Sequence, residues 1–280
     1  MRFENKVAIV TGGGQGIGFG IAEAFAREGA RVVLAQRNRE RADRAAERLR
    51  ASGAHATSTP VDVSDPSSVD RLVEQTLDVY GAIDILVNNA GLAGANGPFL
   101  DLDYDTWKAV LDVNLSGVFL CGRAVGRAMV AKQTRGRIVN IGSLNSFSAQ
   151  KQAAAYAASK GGVLMLTKAM AVDLACFDIL VNCLVPGSVL VERNNSHWST
   201  EPLRTALSKA IPLGGPGTVD QIAAAAAFLA SSENSFMTGG CTRCRWWLSR
   251  LCACRVMHGS PCPNCDRWRR VHGVAVCQDL

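Results

Sequence analysis

Apolar residues in this chain fall in short unbroken runs, separated by longer stretches patterned at helical spacing. The run Val7 to Val10 leads into Thr11 and a glycine cluster, which predicts a buried strand ending in a tight turn. Ile17, Ile21, Ala24, Phe25 and Ala26 then give a helix one apolar face, and Gly29 stands where it should end before the next run, Arg31 to Ala35. The alternation continues with a polar helix over Arg39 to Ala51, a strand near Ala54 to Val61, a helix after Pro66 and a strand over Ile83 to Val87. Later strands are expected at Arg137 to Ile141 and Ile179 to Leu184, with long helices around Tyr104 to Ala131 and Ala154 to Cys176. Thr218 is placed to cap a last helix reaching Ser231. Strands joined by helices need crossover connections, so the expected class is α/β, a doubly wound parallel sheet with helices on both faces.

The chain of 280 residues is 48% apolar and has no long polar low-complexity run, which fits one globular domain over residues 1–240. The segment Leu190 to Pro212 breaks the rhythm with polar residues, His197 and Trp198, and reads as a lid over a substrate. No signal-peptide core precedes Lys6, and the apolar stretch Ile222 to Ala230 is too short to span a bilayer; a cytoplasmic protein with no membrane partner is expected. The net charge of +6 is concentrated at the end, where residues 241–280 carry seven Arg against Asp266 and Asp279. A nearly neutral body argues against a nucleic-acid partner.

Thr11-Gly12-Gly13-Gly14-Gln15-Gly16-Ile17-Gly18 lies between the first strand and first helix, where glycines let backbone approach a pyrophosphate at a helix N-terminus. A Rossmann-type dinucleotide site is the reading, although Gly-x3-Gly-x-Gly departs from the common Gly-x-Gly-x2-Gly. Tyr156 and Lys160 are four residues apart on one helix face, so an ammonium lies beside a phenol. Phenols ionise near pH 10, about three units above neutrality, and a neighbouring cation favours the anion; Tyr156 could then act as base in alcohol oxidation or acid in carbonyl reduction.

With these motifs the sequence resembles the short-chain dehydrogenase/reductase family over roughly Lys6 to Gly239. Asn88-Asn89-Ala90-Gly91 after the fourth strand, Asp62-Val63 after the third, Asn114 in VLDVNLSGVF, Ser143 in GRIVNIGS, Tyr156-Ala157-Ala158-Ser159-Lys160 and Pro186-Gly187 follow in the family's order. The resemblance implies an NAD(P)-dependent oxidoreductase acting on a secondary alcohol or its ketone. It makes Asn114, Ser143, Tyr156 and Lys160 catalytic: Ser143 binds the reacting oxygen, Asn114 maintains a water-linked proton relay, and Lys160 tunes Tyr156 and contacts the nicotinamide ribose. It assigns the cofactor to Gly12, Gln15, Gly16, Ile17, Gly18, Arg37, Asp62, Val63, Asn89, Tyr156, Lys160 and Val189. It also implies a homodimer or homotetramer, provided that the ending permits assembly.

Cofactor choice turns on Leu34-Ala35-Gln36-Arg37-Asn38. An acid there would bind the ribose 2′-hydroxyl and repel a 2′-phosphate, whereas arginine pairs with phosphate. Gln36 replaces the acid and Arg37 follows, which leans toward NADP, with NAD the other option. Val191 stands where the family often has a threonine beside the nicotinamide carboxamide, and is expected to alter cofactor affinity more than reaction type. Sugars, polyols, hydroxysteroids and oxoacyl thioesters all remain open as substrates.

From Cys241 onward the sequence is rich in Cys, Arg and Trp, with no strand or helix period, where the family has a hydrophobic last strand. The abrupt change suggests a reading-frame shift near Gly240, a lost edge strand and an exposed sheet edge. The rival readings are an inactive nucleotide-binding or poorly folded product, and a tail that binds zinc or nucleic acid. Cys241-x2-Cys244 and Cys262-x2-Cys265 have four-thiolate spacing, but seven cysteines in forty residues make such spacing easy to obtain, so no metal site is assigned.

Overall fold

The apolar runs become the interior of one seven-stranded sheet. A computed structural model describes residues 1–92, 97–192, 200–201 and 203–244. The strands are β1 (Val7–Thr11), β2 (Arg31–Gln36), β3 (Ala56–Pro60), β4 (Ile85–Asn88), β5 (Arg137–Ile141), β6 (Leu180–Pro186) and β7 (Cys241–Cys244), in spatial order β3-β2-β1-β4-β5-β6-β7. Every pairing is parallel. The expected class is therefore the observed one, a Rossmann-type doubly wound sheet.

The intervening helices are α1 (Gly16–Arg27), α2 (Arg39–Ala51), α3 (Pro66–Tyr80), α4 (Tyr104–Leu111), α5 (Gly117–Ala131), α6 (Ala154–Leu174), α7 (Leu203–Ala210) and α8 (Val219–Ala230). Strand alternation divides the core. Ala8 and Val10 pack with Ile21, Phe25, Leu49 and Ala226 on one face, while Ile9 packs with Leu72, Val125 and Met129 on the other. All five residues of β1 are buried, the signature of a strand covered on both sides. Asn38, Asp65 and Thr218 accept from backbone N–H groups in the first turns of α2, α3 and α8, which is why those helices start where they do.

The expected helix Tyr104 to Ala131 is interrupted. Residues Asp112–Ser116 form one turn of π-helix in which the Gly117 N–H reaches back to the Asp112 carbonyl. Such a turn inserts one extra residue, and it is often found at functional sites. A Cβ at Gly117 would stand 2.8 Å from Val63 Cγ2, so glycine lets the helix approach the end of β3. The whole 28-residue run is long and apolar enough to cross a bilayer, yet Cys121, Val125 and Met129 spend that apolarity on the sheet.

The end of the chain departs from expectation. Residues 241–244 form the seventh strand, with Cys183, Leu184, Val185 and Pro186 paired to Cys241, Thr242, Arg243 and Cys244. The sheet thus extends four residues past the boundary at 240, and β6 is not left as an edge. Tertiary pairing overrode weak local preference here: β6 offered a row of unpaired groups, and Cys and Thr fit a pleated surface. Cys241 packs on one face and Cys244 on the other, so these two do not converge on one ion. Cys262, Cys265 and the basic run Arg267 to Arg270 lie outside the described residues.

A chain ending at Cys244 should resist urea better than one ending at Gly240, by on the order of 2–4 kcal/mol for four ladder residues and the apolar surface they cover. Equal urea midpoints would show that β7 adds no stability.

Candidate active site

Strand order reverses between β1 and β4, and the loops leaving their carboxyl ends part there, the place where sheets of this kind bind ligands. The glycine loop crosses from β1 into α1. A Cβ on Gly18 would stand 2.4 Å from both the Gly12 carbonyl oxygen and Asn89 Nδ2, so only glycine allows the first turn of α1 to lie this close to β4. No side chain caps α1 and its first turn has no acidic residue, leaving N–H groups and the positive end of the helix dipole for an anion.

These elements enclose a cleft of about 310 Å³, lined by Gly12, Gln15, Gly16, Ile17, Gly18, Arg37, Asp62, Val63 and Asn89. Nine of the expected cofactor residues thus meet at one site. Val189 does not line it; buried, it forms a short parallel bridge to Gly217 and positions the segment that brings Val191 and Glu192 to the cleft. The uncapped helix end and the glycine-lined floor fit a dinucleotide diphosphate. Asn89 acts first as a brace: its Nδ2 donates to the Thr11 and Gly12 carbonyls at 3.0 and 3.2 Å. Asp62 accepts from the hydroxyl and backbone N–H of Ser64, which, with the charge of exposed Arg37, holds its carboxyl below the usual range despite partial burial.

The catalytic candidates sit on β5, the π turn and α6. Ser143 follows β5 and caps the 3-10 turn Leu144–Ser146, its Oγ accepting from the Asn145 N–H at 3.2 Å. Ser146 Oγ donates to the Lys160 carbonyl at 2.7 Å and accepts from the Ser143 N–H, tying that turn to α6. Lys160 is buried; its Nζ donates to the Ile141 carbonyl at 2.8 Å and lies 5.8 Å from the centre of the Tyr156 ring. Burial lowers the Lys160 pKa to about 8, which leaves a charged ammonium predominant at neutral pH. Tyr156 is half-exposed.

Asn114 links these groups to the cleft. Its Oδ1 accepts from the Leu92 N–H at 2.7 Å, and its Nδ2 donates to the Leu92 carbonyl and to Ser159 Oγ at 2.9 and 3.1 Å. Leu92 lines the cleft, and Ser159 donates onward to the Tyr156 carbonyl. A continuous set of hydrogen bonds therefore runs from cleft wall to catalytic helix. His197 and Trp198 of the expected lid lie outside the described residues.

A family model described as "Enoyl-(Acyl carrier protein) reductase" matches residues 12–243. The chain belongs to the short-chain dehydrogenase/reductase family. It is 37% identical over 244 residues to the uncharacterized oxidoreductase YxbG of Bacillus subtilis (strain 168), covering 85% of this chain and 89% of that one. It is 38% identical over 236 residues to a 3-oxoacyl-[acyl-carrier-protein] reductase of Chlamydia muridarum, covering 84% and 94%. A crystal structure of a gluconate 5-dehydrogenase from Burkholderia cenocepacia J2315, in complex with NADP and tartrate, superposes with a TM-score of 0.83 at 38% identity, covering 89% and 97%. The chain is thus a member of a family of NAD(P)-dependent oxidoreductases.

Reading along the sequence misses the residues that hold this member's site together. Gln36 Oε1 accepts from the Gly14 N–H at 2.9 Å, folding the side chain across the glycine loop. Buried Asn88, Asn140 and Thr167 form a chain of side-chain hydrogen bonds from β4 through β5 to α6. Ser146, three residues after Ser143, carries the one local signal available, the spacing of a capping box.

Lys160 gives a pH test. Its folded pKa of about 8 lies below the ordinary 10.5, so between these values the unfolded chain binds more protons and stability rises with pH. The burial cost is complete below pH 8 and lost by about 10.5. Lys160→Met should therefore compare more favourably with the parent chain at pH 7 than at pH 10 in urea denaturation; a difference independent of pH would contradict the assignment.

Proposed function

We propose that this dehydrogenase interconverts a secondary alcohol and its ketone with NADP(H), Tyr156 exchanging the proton at the substrate oxygen. The observation that carries the reading is the Lys160 ammonium, buried, fixed to the Ile141 carbonyl and set beside the Tyr156 ring. The fixed ammonium sets a positive charge beside the phenol, which exchanges its proton with the substrate oxygen as base in one direction and acid in the other. Ser143, its hydroxyl held at the head of the 3-10 turn, orients the substrate oxygen toward Tyr156. Lys160 would hold the nicotinamide ribose, and Asn114 keeps α6 aligned with the cleft while maintaining the water-linked relay that returns protons. A bound nicotinamide supplies or takes the hydride.

NADP is favoured over NAD because Gln36 is neutral and engaged with Gly14, while exposed Arg37 lines the cleft where a 2′-phosphate would lie. The gluconate 5-dehydrogenase and 3-oxoacyl reductase among the relatives support a hydroxyl or ketone on a carbon chain as the reacting group. Free buried thiols at Cys121 and Cys183 fit a reducing, cytoplasmic setting.

The test compares NADPH and NADH binding and ketone reduction in the parent chain, Tyr156→Phe and Lys160→Ala. Tyr156→Phe should cut turnover by about 10²–10⁴-fold while largely sparing NADPH binding; Lys160→Ala should weaken both. Unchanged turnover in Tyr156→Phe would overturn the assignment, and tighter NADH than NADPH binding would overturn the cofactor preference.

A homo-oligomer belongs to the same proposal. Between α5 and α6 lies an apolar groove of about 500 Å³ that includes Phe119, Gly122, Gly126, Leu166, Met170 and Phe177. Light scattering on the purified chain should give the mass of a dimer or tetramer; a monomer mass would refute it.

A further inference from the structure

β7 sets a second thiol beside one that is already in the core. Cys183 on β6 and Cys241 on β7 are direct partners in the parallel register. Both belong to the sheet face under α6, where Cys183 is fully buried with Val163, Leu164 and Val185, and Cys241 packs half-buried against the same group. Their thiols are near enough to shift each other's pKa. Among the other described cysteines, Cys244 packs on the opposite face, Cys121 is buried on α5 and Cys176 is exposed beyond the end of α6.

The two thiols are chemically unequal. The neighbouring Cys241 thiol together with burial pushes Cys183 upward in pKa. Cys183 and the positive charge of Arg243, two residues along the same strand face, pull Cys241 down to about 6. Arg243 is itself fixed, its guanidinium stacked 3.8 Å from the centre of the Phe147 ring. Cys241 is thus the thiol that a small solute can reach and the one already poised as thiolate, and Cys183 stands behind it as the resolving partner.

We propose that Cys183 and Cys241 form a peroxide-sensitive thiol pair that closes to a disulfide between β6 and β7. The Cys241 thiolate attacks one oxygen of hydrogen peroxide and the O–O bond breaks; the departing hydroxide takes a proton and leaves as water, with Cys241 oxidised to the sulfenic acid. The Cys183 sulfur then attacks the Cys241 sulfur, the S–O bond breaks, and hydroxide leaves with the Cys183 proton as a second water. Two thiols supply the two electrons that reduce one peroxide to two waters.

The fold permits this closure without making the bond permanent. Neighbouring strands lie about 4.8 Å apart, inside the Cα range of roughly 4.4–6.8 Å that disulfides span. Side chains in a parallel pair run side by side, so the Cβ atoms start farther apart than the mean of about 3.8 Å in a disulfide, and one strand must move inward by roughly 1 Å. β7 has four residues and, among the described residues, a sheet partner on one side only, so it can move. A bond closed against that displacement is readily reduced, as a switch requires. The pair lies directly behind the catalytic loop: a Cβ at Gly142 would stand 2.9 Å from Cys183 Sγ, and the Lys160 charge reaches Cys183.

The full chain, pre-reduced and treated with hydrogen peroxide, is alkylated and mapped by peptide mass spectrometry. The expected result is a linked Cys183–Cys241 peptide that dithiothreitol reverses, and whose formation Cys241→Ser abolishes while retaining the parent's circular dichroism and NADPH affinity. Cys183→Ser should instead leave Cys241 trapped as a sulfenic or further oxidised species. The proposal is overturned if Cys183 stays alkylatable at peroxide levels that oxidise exposed Cys176, or if Cys241 is recovered linked to another cysteine.

Discussion

Everything at this site depends on how closely the glycine loop can pass the end of β4. Asn89 Nδ2 reaches two carbonyl oxygens of that loop, and Gly18 leaves no Cβ in the way. Thr11 completes the joint from the other side, its Oγ1 accepting from the Asn89 and Ala90 N–H groups. The two halves of the doubly wound sheet are thereby locked together at their reversal, and the cleft exists because their loops diverge immediately beyond that lock. The uncapped end of α1 is left for the ligand because the neighbouring loop polar groups are already satisfied by each other.

A second constraint aligns chemistry with that cleft. The π turn puts Asn114 in the interior, where its amide spans Leu92 on the cleft wall and Ser159 on α6. An uninterrupted α-helix would carry one residue fewer through this turn and rotate the following face by about 100°. Gly117 lets the same helix rest on Val63. The interruption in secondary structure is what connects the cleft to α6.

The order of elements was legible because the central strands β1 and β4 are apolar runs buried throughout, and because Thr218, Pro66 and the glycine loop mark helix starts locally. Boundaries shifted by a residue or two, as at β4, where pairing rather than composition sets the ends. Of the candidate site, the Tyr156–Lys160 pair was legible from periodicity, being four apart on one helix, whereas Asn114, Ser143 and Asn89 were picked out only by the family resemblance. The cleft's other supports were not. Gln36 meets Gly14, and Asn140 meets Thr167, through contacts between elements far apart in the chain, for which no local pattern exists.

The clearest division comes at the end of the chain. Sequence by itself determined the α/β alternation, the glycine loop and the Tyr156–Lys160 pair, since short-range periodicity and backbone sterics dictate each of them. Only the tertiary structure decided that Cys241–Cys244 would be a strand, that Cys241 would meet Cys183, and that Asn114 would lie in a π turn. A strand of four residues has too little pattern to announce itself; it forms because β6 presents unpaired backbone groups that must find partners.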